Sequence, residues 1–283
     1  MKKSLTKQQF AERSLITTYR KRIWTKFVAA VNQYDLIQDG DCIAVCVSGG
    51  KDSFLMAKCF QEMLRHGKQN FSCKFLVMNP GYTPENMQKI LDNASALGIP
   101  IEVFQSSIFE YVDTLEKSPC YLCARMRRGH LYSEAQQRGC NKIALGHHFN
   151  DVVETILMGM LYNGQIQSMM PKLHSQNFSG MQLIRPMYQI EENDIIAWKN
   201  LNELDFLRCA CRFTKDVSFG ENGEHASKRQ EMKNLVQKLK KLNPQADQSI
   251  FKSMENVNVD TAIGWKMNGE RHSFLDKYKN SDD

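Results

Sequence analysis

Apolar positions along this chain switch between two periods. Phe10, Leu15, Ile16, Tyr19, Ile23, Trp24, Phe27 and Val31 recur at helical spacing, which predicts one basic amphipathic helix over 8–34. Asp39-Gly40 marks a turn, and the short apolar run from Cys42 to Val47 predicts a buried strand. Helices follow over 53–64, ended by Gly67, and over 84–97, opened by Pro84 and stopped by Gly98. Further helices are predicted over 119–138, 151–162, 193–203 and 228–241, and further strands over 74–78, 101–104, 142–145 and 181–184. The last forty residues are mixed and polar. Strands alternating with helices predict an α/β fold: a parallel sheet with helices on both faces, flanked by helical N- and C-terminal extensions. The expected division is a basic helical extension over 1–36, the main domain over 37–215 and a basic, mixed extension over 216–283.

Composition changes this picture little. A chain of 283 residues with 42% hydrophobic and 24% charged residues suits one main globular domain. No apolar run is long enough to cross a bilayer, and the N-terminus leads into a charged segment without an apolar signal core, so a cytoplasmic protein without membrane contact is expected. The net charge is +6. Lys2, Lys3, Lys7, Arg13, Arg20, Lys21, Arg22 and Lys26 form one basic cluster, and Lys228, Arg229, Lys233, Lys238, Lys240 and Lys241 a second. Charge alone reads as two solvated helix faces; a polyanion footprint needs support from the chemistry.

That chemistry begins at Ser48-Gly49-Gly50-Lys51-Asp52-Ser53, between the first strand and the following helix. Paired glycines let backbone N–H groups approach phosphate oxygens, and the helix presents its positive end to the anion. Lys51 adds a cation, and Ser48 and Ser53 add hydroxyls. Asp52 would repel phosphate, which assigns it to Mg²⁺ or to a backbone cap. The GxxxxGK[ST] loop of ordinary NTPases is excluded, because Val45 and Asp52 occupy its required positions.

Nine cysteines, an odd number, argue against a disulfide framework. Cys42, Cys46, Cys59, Cys73 and Cys140 read as small core residues. Cys120 and Cys123 share one face at the start of a helix capped by Ser118 and Pro119, near Arg125, Arg127 and Arg128, which favours thiolates. Cys209 and Cys211 offer a third ligand. A redox pair, a structural zinc and an iron–sulfur cluster with three cysteine ligands all fit these spacings. His147 and His148 follow a strand end, either as satisfied polar residues or as contacts to a nucleotide or target base. Lys172 offers a cation to phosphate or is an ordinary exposed lysine.

The Ser48–Ser53 string resembles the signature of the PP-loop ATP pyrophosphatase superfamily, with its adenine nucleotide alpha hydrolase-like fold. Cys120-Tyr-Leu-Cys123-Ala-Arg125-Met-Arg127-Arg128-Gly129, Leu145-Gly146-His147-His148-Phe149-Asn150-Asp151, Gly164 to Leu173 with Met170-Pro171-Lys172-Leu173, and Ile184-Arg185-Pro186 resemble, in order, the motifs of the tRNA 2-thiocytidine synthetase family. The similarity covers roughly residues 20–215. It implies that ATP and Mg²⁺ bind at Ser48, Gly49, Gly50, Lys51, Asp52, Ser53, His147 and Asp151, with Lys51 and Asp52 serving the chemistry. It also implies a [4Fe–4S] cluster on Cys120, Cys123 and Cys211, with Cys209 as the alternative third ligand, and thiolation of an anticodon-loop cytidine, position 32. Two departures stand out. Asn150 replaces the first Asp of the GHHxDD string, leaving Asp151 as the acidic candidate, and Cys209-x-Cys211 replaces Cys-x-x-Cys. Implied partners are tRNA, held by the basic ends, and a cysteine desulfurase or other sulfur donor, with a homodimer left open. The rival readings are a PP-loop tRNA-modifying ligase, a PP-loop sulfurtransferase for another nucleotide, and a non-catalytic cysteine-metal RNA-binding or redox-sensing protein.

Overall fold

The computed structural model describes residues 5–106, 119–207 and 228–278. Helix α1 (Lys7–Ile16) opens on a capping box, Thr6 with Gln9. The single helix expected over 8–34 is in fact three segments: α1, a π-helical turn at Arg20–Trp24, and α2 (Thr25–Gln33). The Thr17 N–H and hydroxyl both donate to the Arg13 carbonyl, and the ladder then widens to an i→i−5 bond, Tyr19 N–H to the Ser14 carbonyl at 2.9 Å. The π turn re-phases the chain, and Tyr19, Ile23 and Phe27 all remain buried in one core.

Strand β1 (Cys42–Cys46) leads into α3 (Lys51–His66), then β2 (Ser72–Asn79), α4 (Pro84–Leu97) and β3 (Ile101–Gln105). Helix α5 (Pro119–Gln137), β4 (Lys142–Ala144), α6 (Phe149–Asn163), β5 (Lys172–His174), β6 (Gln182–Ile184) and α7 (Glu192–Leu201) follow. The sheet order is β3-β2-β1-β4-β6-β5. Every neighbouring pair is parallel except β5–β6, an antiparallel edge that the sequence reading did not predict. Period-two alternation along β1 sends Ile43 and Val45 into one core cluster and Ala44 and Cys46 into another on the opposite face. Residues of α1 to α4 and α7 fill the first cluster, and Tyr132 and Ala135 of α5 the second.

The chain builds β1, β2 and β3 outward on one side and then returns to place β4 on the other side of β1. The strand order therefore reverses between β1 and β4, and ligands of open α/β sheets bind outside the carboxyl ends of strands at such a point.

Two buried ion pairs fix the frame. Lys58 Nζ lies 2.8 Å from Glu12 Oε1 and ties α3 to α1. At the amino edge Lys142 Nζ lies 2.6 Å from Asp41 Oδ2 and also donates to the Leu36 carbonyl.

The chain divides into two compact units. The first takes in residues 1–152 and 169–227, and so includes α1 and α2, whose apolar residues belong to the main core. The second takes in residues 153–168 and 228–283. It contains the end of α6, α8 (Lys228–Leu242), α9 (Ala246–Ser253), a hairpin of β7 (Gly264–Met267) and β8 (Glu270–Ser273), and the short α10 (Leu275–Tyr278). Asn268 and Gly269 turn that hairpin with positive φ at both positions, the requirement of a two-residue primed turn.

Candidate active site at the sheet switch point

The loop after β1 is held in shape by the side chain of Ser53. Its Oγ accepts from the Ser48 N–H at 3.1 Å and donates to the Gly50 carbonyl at 2.9 Å. Gly49 has φ +89°, and a Cβ there would lie 2.9 Å from Leu207 Cδ1 and 3.0 Å from Ile90 Cδ1, so the position suits only glycine. Helix α3 starts at Lys51 with Gly50 as its cap and no side-chain capping bond, leaving its first N–H groups directed at the loop.

Lys51 Nζ lies 3.1 Å from Asp52 Oδ1 and 3.2 Å from Glu192 Oε1 of α7. Burial disfavours its charge, yet the Asp52 and Glu192 carboxylates outweigh burial and hold its pKa above the ordinary lysine value. It is a cation at any physiological pH. Asp52 Oδ1 is buried and makes no hydrogen bond of good geometry. It does not cap α3, which removes one of the two roles open to it in the sequence.

The loop after β4 closes the other side of the crevice. A Cβ on Gly146 would lie 3.2 Å from Ser53 N and 3.3 Å from Asp52 C, so glycine lets this loop lie against the first turn of α3. His148 is buried; its Nδ1 lies 3.5 Å from Asp151 Oδ2 and its Nε2 3.9 Å from Asp52 Oδ1. Asp151 Oδ2 accepts the His148 backbone N–H at 2.9 Å, the reach-back half of a capping box at the start of α6. Part of what the sequence offered as nucleotide chemistry at Asp151 is thus helix initiation. Asn150 Oδ1 accepts the Glu192 N–H at 2.9 Å and positions the acid that pairs with Lys51. His147 Nδ1 receives a hydrogen bond from Arg185 Nε at 3.3 Å.

The cysteine pair arrives at the same edge by topology. Helix α5 ends close before β4 begins, so it runs antiparallel to the strands and its start, with Cys120 and Cys123, lies at their carboxyl ends. Cys209 and Cys211 lie outside the described residues. Two residues before Cys209, Leu207 donates its N–H to the Gly49 carbonyl at 3.1 Å, and Phe206 stacks on Phe54 of α3 at 4.9 Å. The chain leading to that pair is therefore pinned to the loop. The other five cysteines are free thiols, as expected of core residues. Burial raises the Cys46 and Cys140 pKa values to about 12 and those of Cys59 and Cys73 further, which keeps them protonated and unreactive.

Lys172 is engaged by Asp35. Its Nζ bonds the Asp35 carbonyl and lies 3.1 Å from Asp35 Oδ2. The sequence reading missed Gly146, Glu192 and Arg185 as site residues. Gly146 and Arg185 lie inside motifs quoted above, whereas only a pair of acids opening a helix marks Glu192.

The sequence profile of the PP-loop domain family matches residues 19–211. A tRNA-cytidine(32) 2-sulfurtransferase of Coxiella burnetii is 34% identical over 250 residues, covering 84% of this chain and 91% of its own. That of Geobacter metallireducens is 32% identical over 231 residues, covering 81% and 86%. In solved structures, the fold is similar to the U34-tRNA thiolase NcsA from Methanococcus maripaludis with its [4Fe-4S] cluster: TM-score 0.65, 20% identity, 90% of this chain and 87% of that one. Among the described residues no helix is long and apolar enough to cross a membrane. With the phosphate loop, the glycine contact at 146 and the paired cysteines on one sheet edge, this chain belongs to the PP-loop domain family and, within it, to the tRNA-cytidine(32) 2-sulfurtransferases.

Proposed function

We propose that this protein is an ATP-dependent tRNA sulfurtransferase acting on the C2 oxygen of cytidine 32 in the anticodon loop. The observation that carries the reading is the convergence, on one sheet edge, of a phosphate loop with a helix that begins on Cys120 and Cys123. Adenylation joins the C2 oxygen to the α-phosphate of ATP and expels pyrophosphate. Sulfur then bonds to C2, and the oxygen leaves on AMP.

The residues fit the implied groups. The backbone N–H groups of Gly49 and Gly50 and the start of α3 cradle phosphate, and Lys51 shifts its ion pair from Glu192 and Asp52 toward the leaving pyrophosphate. Asp52 Oδ1, ion-paired with Lys51 but accepting no hydrogen bond, suits Mg²⁺, which is commonly held by one or two carboxylates plus substrate phosphates. Cys120, Cys123 and Cys211, with Cys209 as the alternative, suit an iron–sulfur cluster, whose chemistry is to supply sulfur to the activated base. His147 and Asp151 border the nucleotide crevice. The sulfur comes from a cysteine desulfurase or another donor in the cytoplasm.

The RNA footprint is smaller than the sequence charge suggests. Arg22 pairs with Asp194 at 3.3 Å and Lys26 with Glu191 at 3.0 Å, while Arg229 and Lys240 of α8 pair with Glu154 and Asp247.

The test is anaerobic purification with iron and sulfide analysis, alongside nucleoside mass spectrometry of tRNA from a deletion strain. Wild type should carry iron that Cys120→Ala, Cys123→Ala and Cys211→Ala lose, and the strain should lack 2-thiocytidine. Full iron in every variant overturns the cysteine assignment, and unchanged 2-thiocytidine overturns the substrate.

A further inference from the structure

Arg185 follows directly on β6. Leu183 belongs to the core cluster on the α5 face and Ile184 to the opposite one, so strand alternation returns Arg185 toward α5. Its side chain is 5% exposed. Nε donates to His147 Nδ1 at 3.3 Å, and Nη1 donates to the Met170 carbonyl. Both partners are neutral acceptors, and among the described residues no carboxylate lies within ion-pair distance. Burial lowers its pKa to about 10, and the charge of Arg128 lowers it too. The Asp151 carboxylate acts the other way, but from beyond ion-pair distance; a guanidinium does not deprotonate in a protein, so this is a buried charge compensated only at longer range.

Arg128, on α5, adds a second positive charge instead of a balancing negative one. It is exposed, and its charge also acts on Tyr132. With Tyr132, Gln176, Asn177, Phe178 and Leu183 it lines an open cavity of about 710 Å³ with no acid among its described lining residues. Tyr132 and Phe178 stack there at 5.3 Å. Arg128 on the cavity wall and the buried Arg185 that feels its charge outweigh the one carboxylate in range, Asp151, and leave this region short of negative charge.

We propose that Arg128 and Arg185 bind a phosphodiester of the acceptor RNA, with the adjoining aromatic and amide groups receiving a neighbouring unpaired nucleotide. This rests on the RNA-thiolation reading above. The loop after β1 already provides for the phosphates of ATP, and β6 lies two strands away, roughly 10 Å at ordinary strand spacing. A cavity far larger than a phosphate, offering ring faces and amides beside Arg128, matches recognition of single-stranded RNA better than that of a free ion.

The experiment is fluorescence anisotropy of a labelled anticodon stem-loop RNA on the full-length protein, over a series of salt concentrations, with ATP-analogue affinity measured in parallel. Arg128→Ala, at an exposed position, should weaken RNA binding about tenfold and reduce the slope of log Kd against log salt by about one. Affinity for the ATP analogue should be unchanged. Arg185→Met should show the same RNA defect; it also gives up the bonds to His147 and the Met170 carbonyl, so should it fail to fold, Arg128→Ala carries the test alone. Unchanged RNA affinity and slope in Arg128→Ala would overturn the site. Lost ATP-analogue affinity with intact RNA binding would also overturn it, by assigning the anion to ATP. A wild-type protein that does not bind the stem-loop would instead bring down the thiolation reading itself, and this site with it.

Discussion

Gly146→Ala should disable the phosphate loop while leaving the protein folded. No positive φ is required at 146, so alanine is acceptable to the backbone and the cost is steric. The new Cβ meets Ser53 N at 3.2 Å, Asp52 C at 3.3 Å and Ser53 Cα at 3.4 Å, all in the first turn of α3. Those atoms cannot rotate away as a side chain would. Ser53, Phe54 and Leu55 are buried, so α3 yields by a few tenths of an ångström against a packed core. Overpacking of this kind costs about 1–3 kcal/mol. The shift passes into the loop through Ser53, whose Oγ is bonded to both Ser48 N and the Gly50 carbonyl. A displacement of 1 Å at a reacting centre costs about a hundredfold in rate, so a shift of a few tenths should cost roughly tenfold. The assay is tRNA-dependent pyrophosphate release, with ATP-analogue affinity and the thermal midpoint measured on the same preparation. Release should fall while melting stays cooperative. Wild-type release from Gly146→Ala would refute the claim that the close approach of these two loops sets the ATP geometry.

Two further predictions concern the frame. Burial alone would raise the Glu12 pKa, but hydrogen bonds from Arg65 and Lys58 bring it from the ordinary 4.5 down to about 2. Its stabilisation is complete above pH 4.5 and disappears as pH falls through 2. Allowing for screening at the exposed Arg65, it amounts to about 2 kcal/mol. Glu12→Gln should therefore be less stable at neutral pH and lose less on acidification; melting curves that run parallel to wild type from pH 6 to pH 2 would contradict this. Asp41→Ala strands the buried Lys142 ammonium and should cost about 3–5 kcal/mol, whereas Asp41→Asn combined with Lys142→Met should recover most of it. Equal destabilisation of the two in urea titrations would show that the charge pair is not the cause.

The elements most legible in the sequence are those whose signals are local and unopposed. Helix α4 begins at Pro84 and ends before Gly98 as its punctuation demands, with Thr83 accepting the Asn86 N–H and Gly98 in the left-handed region. The first helix looked continuous because Tyr19, Ile23 and Phe27 keep helical spacing, while the shift to an i→i−5 bond, Tyr19 N–H to the Ser14 carbonyl, leaves no mark on hydrophobic periodicity. Strand β5 has three residues, and Leu173 and His174 are exposed, so no alternation marks it. The hairpin at 264–273 did carry a signal, Asn268-Gly269, but its strands display Lys266, Met267, Glu270 and Arg271 to solvent and lack the apolar face that draws attention to such a turn.

The site divides in the same physical way. Residues that act through the backbone, Gly49 and Gly50 above all, are legible because a phosphate loop needs their type at fixed spacing beside a strand. Residues that act through distant pairing are not. Glu192 meets Lys51 across a sequence separation of 141, and nothing at either position announces the other. Asp151 shows the converse problem: its type and position suggested nucleotide chemistry, while one carboxylate oxygen is engaged in starting α6. Arg185 is the extreme case. A basic residue beside a proline is unremarkable in a sequence, and only its burial, its neutral hydrogen-bond partners and the charge of Arg128 show that the chain supplies two positive charges against the single, more distant Asp151. An interaction whose second half belongs to another molecule can appear in one chain only as an imbalance, and an imbalance is visible only after the chain's own pairings have been accounted for in three dimensions.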